Sequence, residues 1–159
     1  MNLDQQLRNL INEAPEYGVP AIIMEHGVIP VISAYAHQLD YSKYYLRQTL
    51  ENNLVLTILG TDKHPEVEKR VIYAFPTVED AAKFPDTKIN DANVIAQEIP
   101  VSQILFQMFT MKEVDSVIFV EKPENYQQSK EIFCNKLQSA IQHNLTNLIN
   151  SNSFNQLVV

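Results

Sequence analysis

The chain has 159 residues, enough for one domain that buries about two thirds of its unfolded surface without disulfide or metal staples. Its 45% hydrophobic and 19% charged residues match an ordinary globular protein and exclude a disordered chain. Twelve Lys and Arg against nineteen Asp and Glu leave a formal charge of −7, which opposes phosphate contacts, so neither nucleic acid nor an anionic membrane surface is expected as a partner.

In chain order, Leu3, Leu7, Leu10 and Ile11 recur at helical spacing from a start near Asp4, and Pro15 and Gly18 break the pattern. Val19 to Leu39 reads two ways: a hairpin around His26-Gly27, or two helical pieces, each opened by a proline, the first closed by Gly27. Helices are preferred, since Pro30 would spoil a central strand. From Tyr41, the residues Tyr45, Leu46, Thr49 and Leu50 alternate with polar ones at roughly helical period, predicting a helix to Asn52-Asn53. Leu54 to Leu59 is a near-continuous apolar run ended by Gly60, the pattern of a central strand covered on both faces.

The clearest succession of signals lies in Lys69 to Phe84. Val71, Ile72, Tyr73 and Phe75 suit a strand, which Pro76 stops because it has no N–H to donate. Thr77 can cap the short helix that follows, with Glu79 and Asp80 in its first turn, and Pro85 ends it. Asp86 to Asn93 reads as loop and Val94 to Ile99 as a short strand. Pro100 opens a helix bearing Ile104, Leu105, Met108 and Phe109 on one face. Ser116 to Val120 is a further strand. Glu124 to Ile149 is expected to be one long helix with Phe133, Leu137, Ala140, Ile141, Leu145 and Leu148 on its apolar stripe, and Asn150 to Val159 a flexible tail. The sum is an α+β fold: a mixed sheet of about four strands flanked by helices, with a long C-terminal helix, in a single domain spanning 1–159.

The order YYLRQTLENN, LVLTILG, RVIYAF, PTVEDAAKF, IPVSQILFQMF, SVIFVEKP resembles the N-terminal domain of the SseB (enhanced serine sensitivity) family over about residues 41–123. The shared motifs are turn signals. The resemblance implies a mixed α+β domain and brings no catalytic residues with it.

A single cysteine, Cys134, excludes a disulfide framework and two-Cys zinc patterns. With no apolar run long enough to span a bilayer and no signal-peptide pattern, a cytoplasmic location is expected. Three glycines, Gly18, Gly27 and Gly60, leave no phosphate-binding glycine loop. His26, His37, His64 and His143 have no paired helical spacing, Asp62, His64 and Glu66 read as a solvated loop, and the run of Asp86, Asn90, Asp91 and Asn93 lacks the glycine and spacing of a calcium loop. No metal, cofactor or catalytic residue is expected. Cys134 lies in the predicted helix, where a buried inert thiol is expected.

The remaining candidate is the cluster Tyr35, His37, Asp40, Tyr41, Tyr44 and Tyr45, where titratable and aromatic groups crowd together. The plainer reading is that these tyrosines pack two helices together. The function expected is a non-enzymatic binding or protein-interaction module; the alternative is a small-molecule-binding domain or small enzyme using this cluster. A helix of 26 residues from Glu124 would reach about 39 Å and overhang a small sheet, so a homodimer through Phe133, Leu137, Ile141, Leu145 and Leu148 is expected. The N-terminal helix covering that stripe within one chain is the alternative.

Overall fold

The computed structural model describes residues 2–61, 64–85 and 94–151, without the side chains of 61 and 64–67. The fold is α+β and the chain forms two compact units. One contains residues to 42, 100–110 and from 135 on and is helical; the other contains 43–99 and 111–134 and holds the sheet.

In the helical unit, α1 (Leu3–Glu13) starts from Asn2 rather than Asp4: the Asn2 side chain accepts from the Gln5 N–H at 2.9 Å, and Gln5 returns a contact to the Asn2 N–H in a capping box. Its buried face includes Leu7 and Leu10. Within 19–39 the chain is helical from Ala21 to Ala36, as preferred, but Gly27 does not close a first piece. α2 (Ala21–Ile23), a π-helical turn (Met24–Val28) and α3 (Ile29–Ala36) run on without interruption. Pro30 explains the π turn: it has no N–H for the His26 carbonyl four residues back, and its ring crowds that oxygen. The Ile29 N–H instead bonds the Met24 carbonyl, five residues back. Asn144 from α6 (Cys134–Ile149) completes the turn, its Nδ2 donating to the carbonyls of His26 at 3.0 Å and Gly27 at 2.9 Å. Glycine makes room here for Leu145: a Cβ at 27 would run into Leu145 Cδ2, and that side chain would have to shift.

Among the described residues the sheet unit has six strands: β1 (Lys43–Thr49), β2 (Thr57–Thr61), β3 (His64–Phe75), β4 (Val94–Pro100), β5 (Ser116–Lys122) and β6 (Asn125–Phe133). Their order is β4-β1-β3-β5-β6, with β2 also on β3. β3 runs antiparallel to β1 and β2 and parallel to β5, and β5 is antiparallel to β6, so the sheet is mixed. β3 ends at Phe75 and α4 (Val78–Lys83) follows, with Thr77 Oγ1 accepting from the Asp80 N–H at 3.1 Å, as the sequence predicts.

Three expectations are corrected. The helix predicted from Tyr41 to Asn53 is β1 and its turn. Helix propensity in Leu46, Arg47 and Gln48 loses to the ladder with β3, where Tyr45 pairs with Phe75 and Leu46 with Ala74. The strand predicted at Leu54–Leu59 begins at Thr57, and among the described residues it pairs only with β3, so it is not central; Leu54 makes an isolated bridge to Gln48. The helix predicted from Glu124 is a strand as far as Phe133. Glu124 adopts a left-handed φ of 64°, which turns the chain back so that Lys122 faces Asn125 and Ser116 faces Phe133. Only Cys134–Ile149 is helix, 16 residues.

The sheet's two faces differ. Tyr44, Leu46, Ile72, Ala74, Val117 and Phe119 are buried on one, where Tyr44 meets Phe119 edge-on with centroids 5.0 Å apart and donates to Glu121 Oε2 at 2.7 Å. On the other, Phe75, Ala81 and Val120 form a buried cluster rimmed by the half-buried aromatics Tyr45, Tyr73, Phe84 and Tyr126. The predicted tail lies, from residue 152 on, outside the described residues, as does the loop Asp86 to Asn93.

Candidate functional site

Alternation along β1 puts Tyr45 and Arg47 on the α4 side of the sheet. Arg47 is 7% exposed. Its guanidinium lies over the Phe84 ring at 4.9 Å and the Phe75 ring at 5.8 Å, and its Nη2 donates to Thr57 Oγ1 at 3.3 Å. Three elements fix it: β1 supplies the residue, β3 the Phe75 ring, and the end of α4 the Phe84 ring that Pro85 holds out of the helix. Cation–π contacts of this kind are worth about 0.5–2 kcal/mol each, more as water is excluded.

The guanidinium borders a cavity of about 190 Å³ whose other described lining residues are Ala81, Ala82, Phe84, Val94, Ile95 and Ala96. All six are uncharged and apolar. Among the described lining residues Arg47 is the charged one, and the recess it borders is a concave site of a size that admits a small ligand.

Nearby, Asp80 is 3% exposed; its Oδ1 accepts from the Glu124 N–H at 3.0 Å, tying α4 to the β5–β6 turn, while its Oδ2 is buried without a hydrogen-bond partner among the described residues. Tyr126 donates to the Asp80 carbonyl at 3.5 Å, and burial, with the charges of Asp80 and Glu124 beside it, pushes its phenol above the usual range. A second cavity, about 140 Å³, lies in the helical unit by Gln6, Asn9, Leu10, Glu13, Pro100, Ser102 and Gln103. Gln6, 3% exposed, stands at its edge as a structural pin: its Oε1 accepts from the Ser102 N–H at 3.1 Å and its Nε2 donates to the Ser42 carbonyl at 2.8 Å. It thereby caps α5 (Val101–Met108), whose N-cap Pro100 has no side-chain oxygen to offer.

The six residues of the sequence-predicted cluster fall into different settings. Tyr35 lies half-buried on α3; His37 is the exposed C-cap of that helix, its Nδ1 2.7 Å from the Ser33 carbonyl; Asp40 is exposed and Tyr41 half-buried. These four belong to the helical unit, Tyr44 and Tyr45 to the sheet unit. Tyr44 and Tyr45 point to opposite faces of β1, so they do not share a site.

Of the proposed interface stripe, Phe133 closes β6 under the Lys69 ammonium, 5.5 Å from its ring, and Leu137 and Ile141 are fully buried. Leu145 and Leu148 lie half-buried against Gly27. The dimer expectation rested on a 26-residue helix, and with 16 residues it loses that geometric basis.

Cys134 is buried at the start of α6, and burial, with the Asp115 charge, pushes its thiol up to about 11, far from a nucleophile's range. The ligand trio fares no better as a test case: Asp62 and the side chains of His64 and Glu66 lie outside the described residues, among which no cluster of three His, Cys, Asp or Glu could hold a metal ion. Among the described residues no helix is long and apolar enough to cross a membrane.

No protein-family model, curated protein or solved structure matches the chain. The likeness to the SseB family therefore rests on its turn signals alone, and one segment that carried it, YYLRQTLENN, is strand and turn rather than helix.

Sequence reasoning missed Arg47, Phe84 and the alanines of α4 as a group. In the helix expected from Tyr41 to Asn53, Arg47 counts among the polar residues that alternate with Tyr45, Leu46, Thr49 and Leu50. The signal available was Tyr45-x-Arg47 at a spacing of two, which a strand places on one face.

Proposed function

We propose that the protein is a non-enzymatic binding module whose ligand enters the Arg47 recess of the sheet unit. The observation that carries this reading is a buried guanidinium, braced by two aromatic rings, at the border of a small recess lined, among the described residues, by Arg47 and six residues with apolar side chains. Such a constellation can orient a ligand, and its described side chains include no nucleophile. The Cys134 thiol, held protonated, adds no nucleophile.

Ala82 lines the recess and is solvent-exposed, so a large side chain there fills the space without entering the core. A metabolite and fragment library screened by thermal shift should yield compounds that raise the Tm of the native protein and leave Ala82→Trp unmoved. Compounds that stabilise both proteins equally would move the binding site elsewhere.

A further inference from the structure

Independently of the Arg47 recess, we infer that the cavity of the helical unit takes the ammonium end of a small alkylamine. Its walls are α1 and α5, and two contacts tie them together. Gln6 accepts from the Ser102 N–H at the start of α5, and beyond α1 the Tyr17 ring, in the 3₁₀ turn Ala14–Tyr17, meets Phe106 edge-on with centroids 4.9 Å apart. Ties at both places fix the spacing of the walls before any ligand arrives, which lowers the ordering cost of binding. Into the cavity α1 offers Glu13, its last residue, and α5 offers Gln103, both half-buried.

Both side chains have hydrogen-bonding capacity to spare. Among the described residues the polar partner of Glu13 is the Tyr17 hydroxyl, which donates to Oε2 at 3.4 Å, and the Gln103 carboxamide has none. An ionised carboxylate only accepts, so the group it receives must donate. The potential there favours a cation: Glu13 stands at the end of α1, where the helix dipole adds about half a negative charge, no basic residue lies in that last turn, and the net charge of −7 draws cations to the chain. An ammonium has three N–H donors, enough for Glu13 Oε1 and the Gln103 carbonyl together. A guanidinium pairs best with both oxygens of a carboxylate, and Tyr17 already holds one of them. Calcium takes about six to eight oxygens, whereas among the described residues no three His, Cys, Asp or Glu side chains gather to hold a metal ion. The volume, about 140 Å³, is room for about five waters at roughly 30 Å³ each, and Leu10 and Pro100 supply an apolar part of the wall for a short alkyl chain. The ammonium reaches the cavity either on a free amine or at the end of a lysine side chain.

Titrations followed by amide NMR on the full chain, at pH 7 and fixed ionic strength, test this with n-butylammonium as the probe. The comparison compounds are n-butanol, which lacks the charge, tetramethylammonium, which keeps the charge without N–H donors, n-butylguanidinium, calcium and N-acetyl-lysinamide. Butylammonium should shift the side-chain amide of Gln103 and the backbone amides of Leu10 and Glu13, and bind at least about tenfold tighter than butanol or tetramethylammonium, as expected for a charge-assisted hydrogen bond. Glu13→Gln should remove that advantage, while Glu16→Gln, which deletes the same charge from an exposed neighbour, should leave it intact. Equal losses in the two variants, or shifts that miss Gln103 and Glu13, would overturn the site. Tetramethylammonium that binds as tightly as butylammonium would reduce the effect to bulk attraction and sink the proposal. Tighter binding of butylguanidinium, or displacement of butylammonium by equimolar calcium, would refute the ammonium. If Glu13→Gln does not fold, the probe comparison and the Gln103 shifts on the native chain still decide. N-acetyl-lysinamide that outbinds butylammonium assigns the ammonium to a lysine side chain; weaker binding assigns it to a free amine.

Discussion

Asn144→Asp is nearly isosteric, yet it reverses the hydrogen bonding at the π turn. The native Nδ2 donates to two carbonyls, at 3.0 and 2.9 Å, and each bond contributes about 1 kcal/mol net. The introduced carboxylate removes both donors and sets its charge against two acceptor oxygens. The His26 side is open to water, which softens that half, whereas Gly27 and Val28 are buried. The expected loss is about 2–3 kcal/mol at pH 7, or a Tm lower by roughly 4–12 °C for a chain of this size. Asn144→Ala should cost less, about 1 kcal/mol, because alanine's helix propensity offsets part of the loss.

The pH dependence carries a sign. A carboxylate facing acceptors has its pKa raised in the folded state, so the penalty is present in full above that value and shrinks as pH falls through it, once the protonated group can donate. Denaturation curves by circular dichroism, variant minus native at pH 7 and pH 4, measure both effects, with Ser139→Asp on the exposed side of α6 as a control expected within about 0.5 kcal/mol. A variant within that margin of native at pH 7, or a penalty no smaller at pH 4, would refute the account of the turn.

Gln6→Leu should destabilise by about 2–3 kcal/mol, since it leaves the buried Ser102 N–H without its acceptor; a change under about 0.5 kcal/mol in chemical denaturation would show that the α5 cap is redundant. Cys134, at about 11 against an ordinary value near 8.5, should react with a thiol reagent at pH 8 at least about two orders of magnitude more slowly than the unfolded chain, and comparable rates would contradict its burial. Glu131 is pushed up by burial but pulled down further by the Lys69 ammonium and the Ser116 hydroxyl, so its carboxyl sits below the ordinary value. Its folded pKa being depressed, it stabilises above the unfolded carboxylate pKa of about 4.3, and that stability is lost as pH falls through the folded value. The acid limb of a stability–pH curve should accordingly be shallower in Glu131→Gln, and an unchanged limb would remove Glu131 from the account.

Elements that announce their own ends were legible in the sequence. Pro76 and Thr77 mark the passage from β3 to α4, and Pro100 the start of α5, through backbone chemistry confined to a few residues. β1 and β6 were not, for opposite reasons. β1 carries Leu46, Arg47 and Gln48, good helix formers whose strand state comes from pairing with residues 28 to 30 positions on. β6 is largely exposed along Gln127–Lys130, so it lacks the apolar alternation that would betray a strand. The candidate site inherits the first failure: Arg47 meets Phe75 and Phe84 only after β1 has paired, and no local pattern brings those three side chains together.

The helical unit is assembled from three separate stretches of chain, residues to 42, 100–110 and from 135 on. During translation, the π turn around Gly27 therefore waits for its partner Asn144, 117 positions later, a delay of about 6–24 s at 5–20 residues per second. Through that interval Pro30 has already removed one backbone donor, and the His26 and Gly27 carbonyls lack the Asn144 amide that the last stretch supplies. Cutting the gene between the units cannot yield a complete helical half, because its final helix is encoded after the last strand of the sheet.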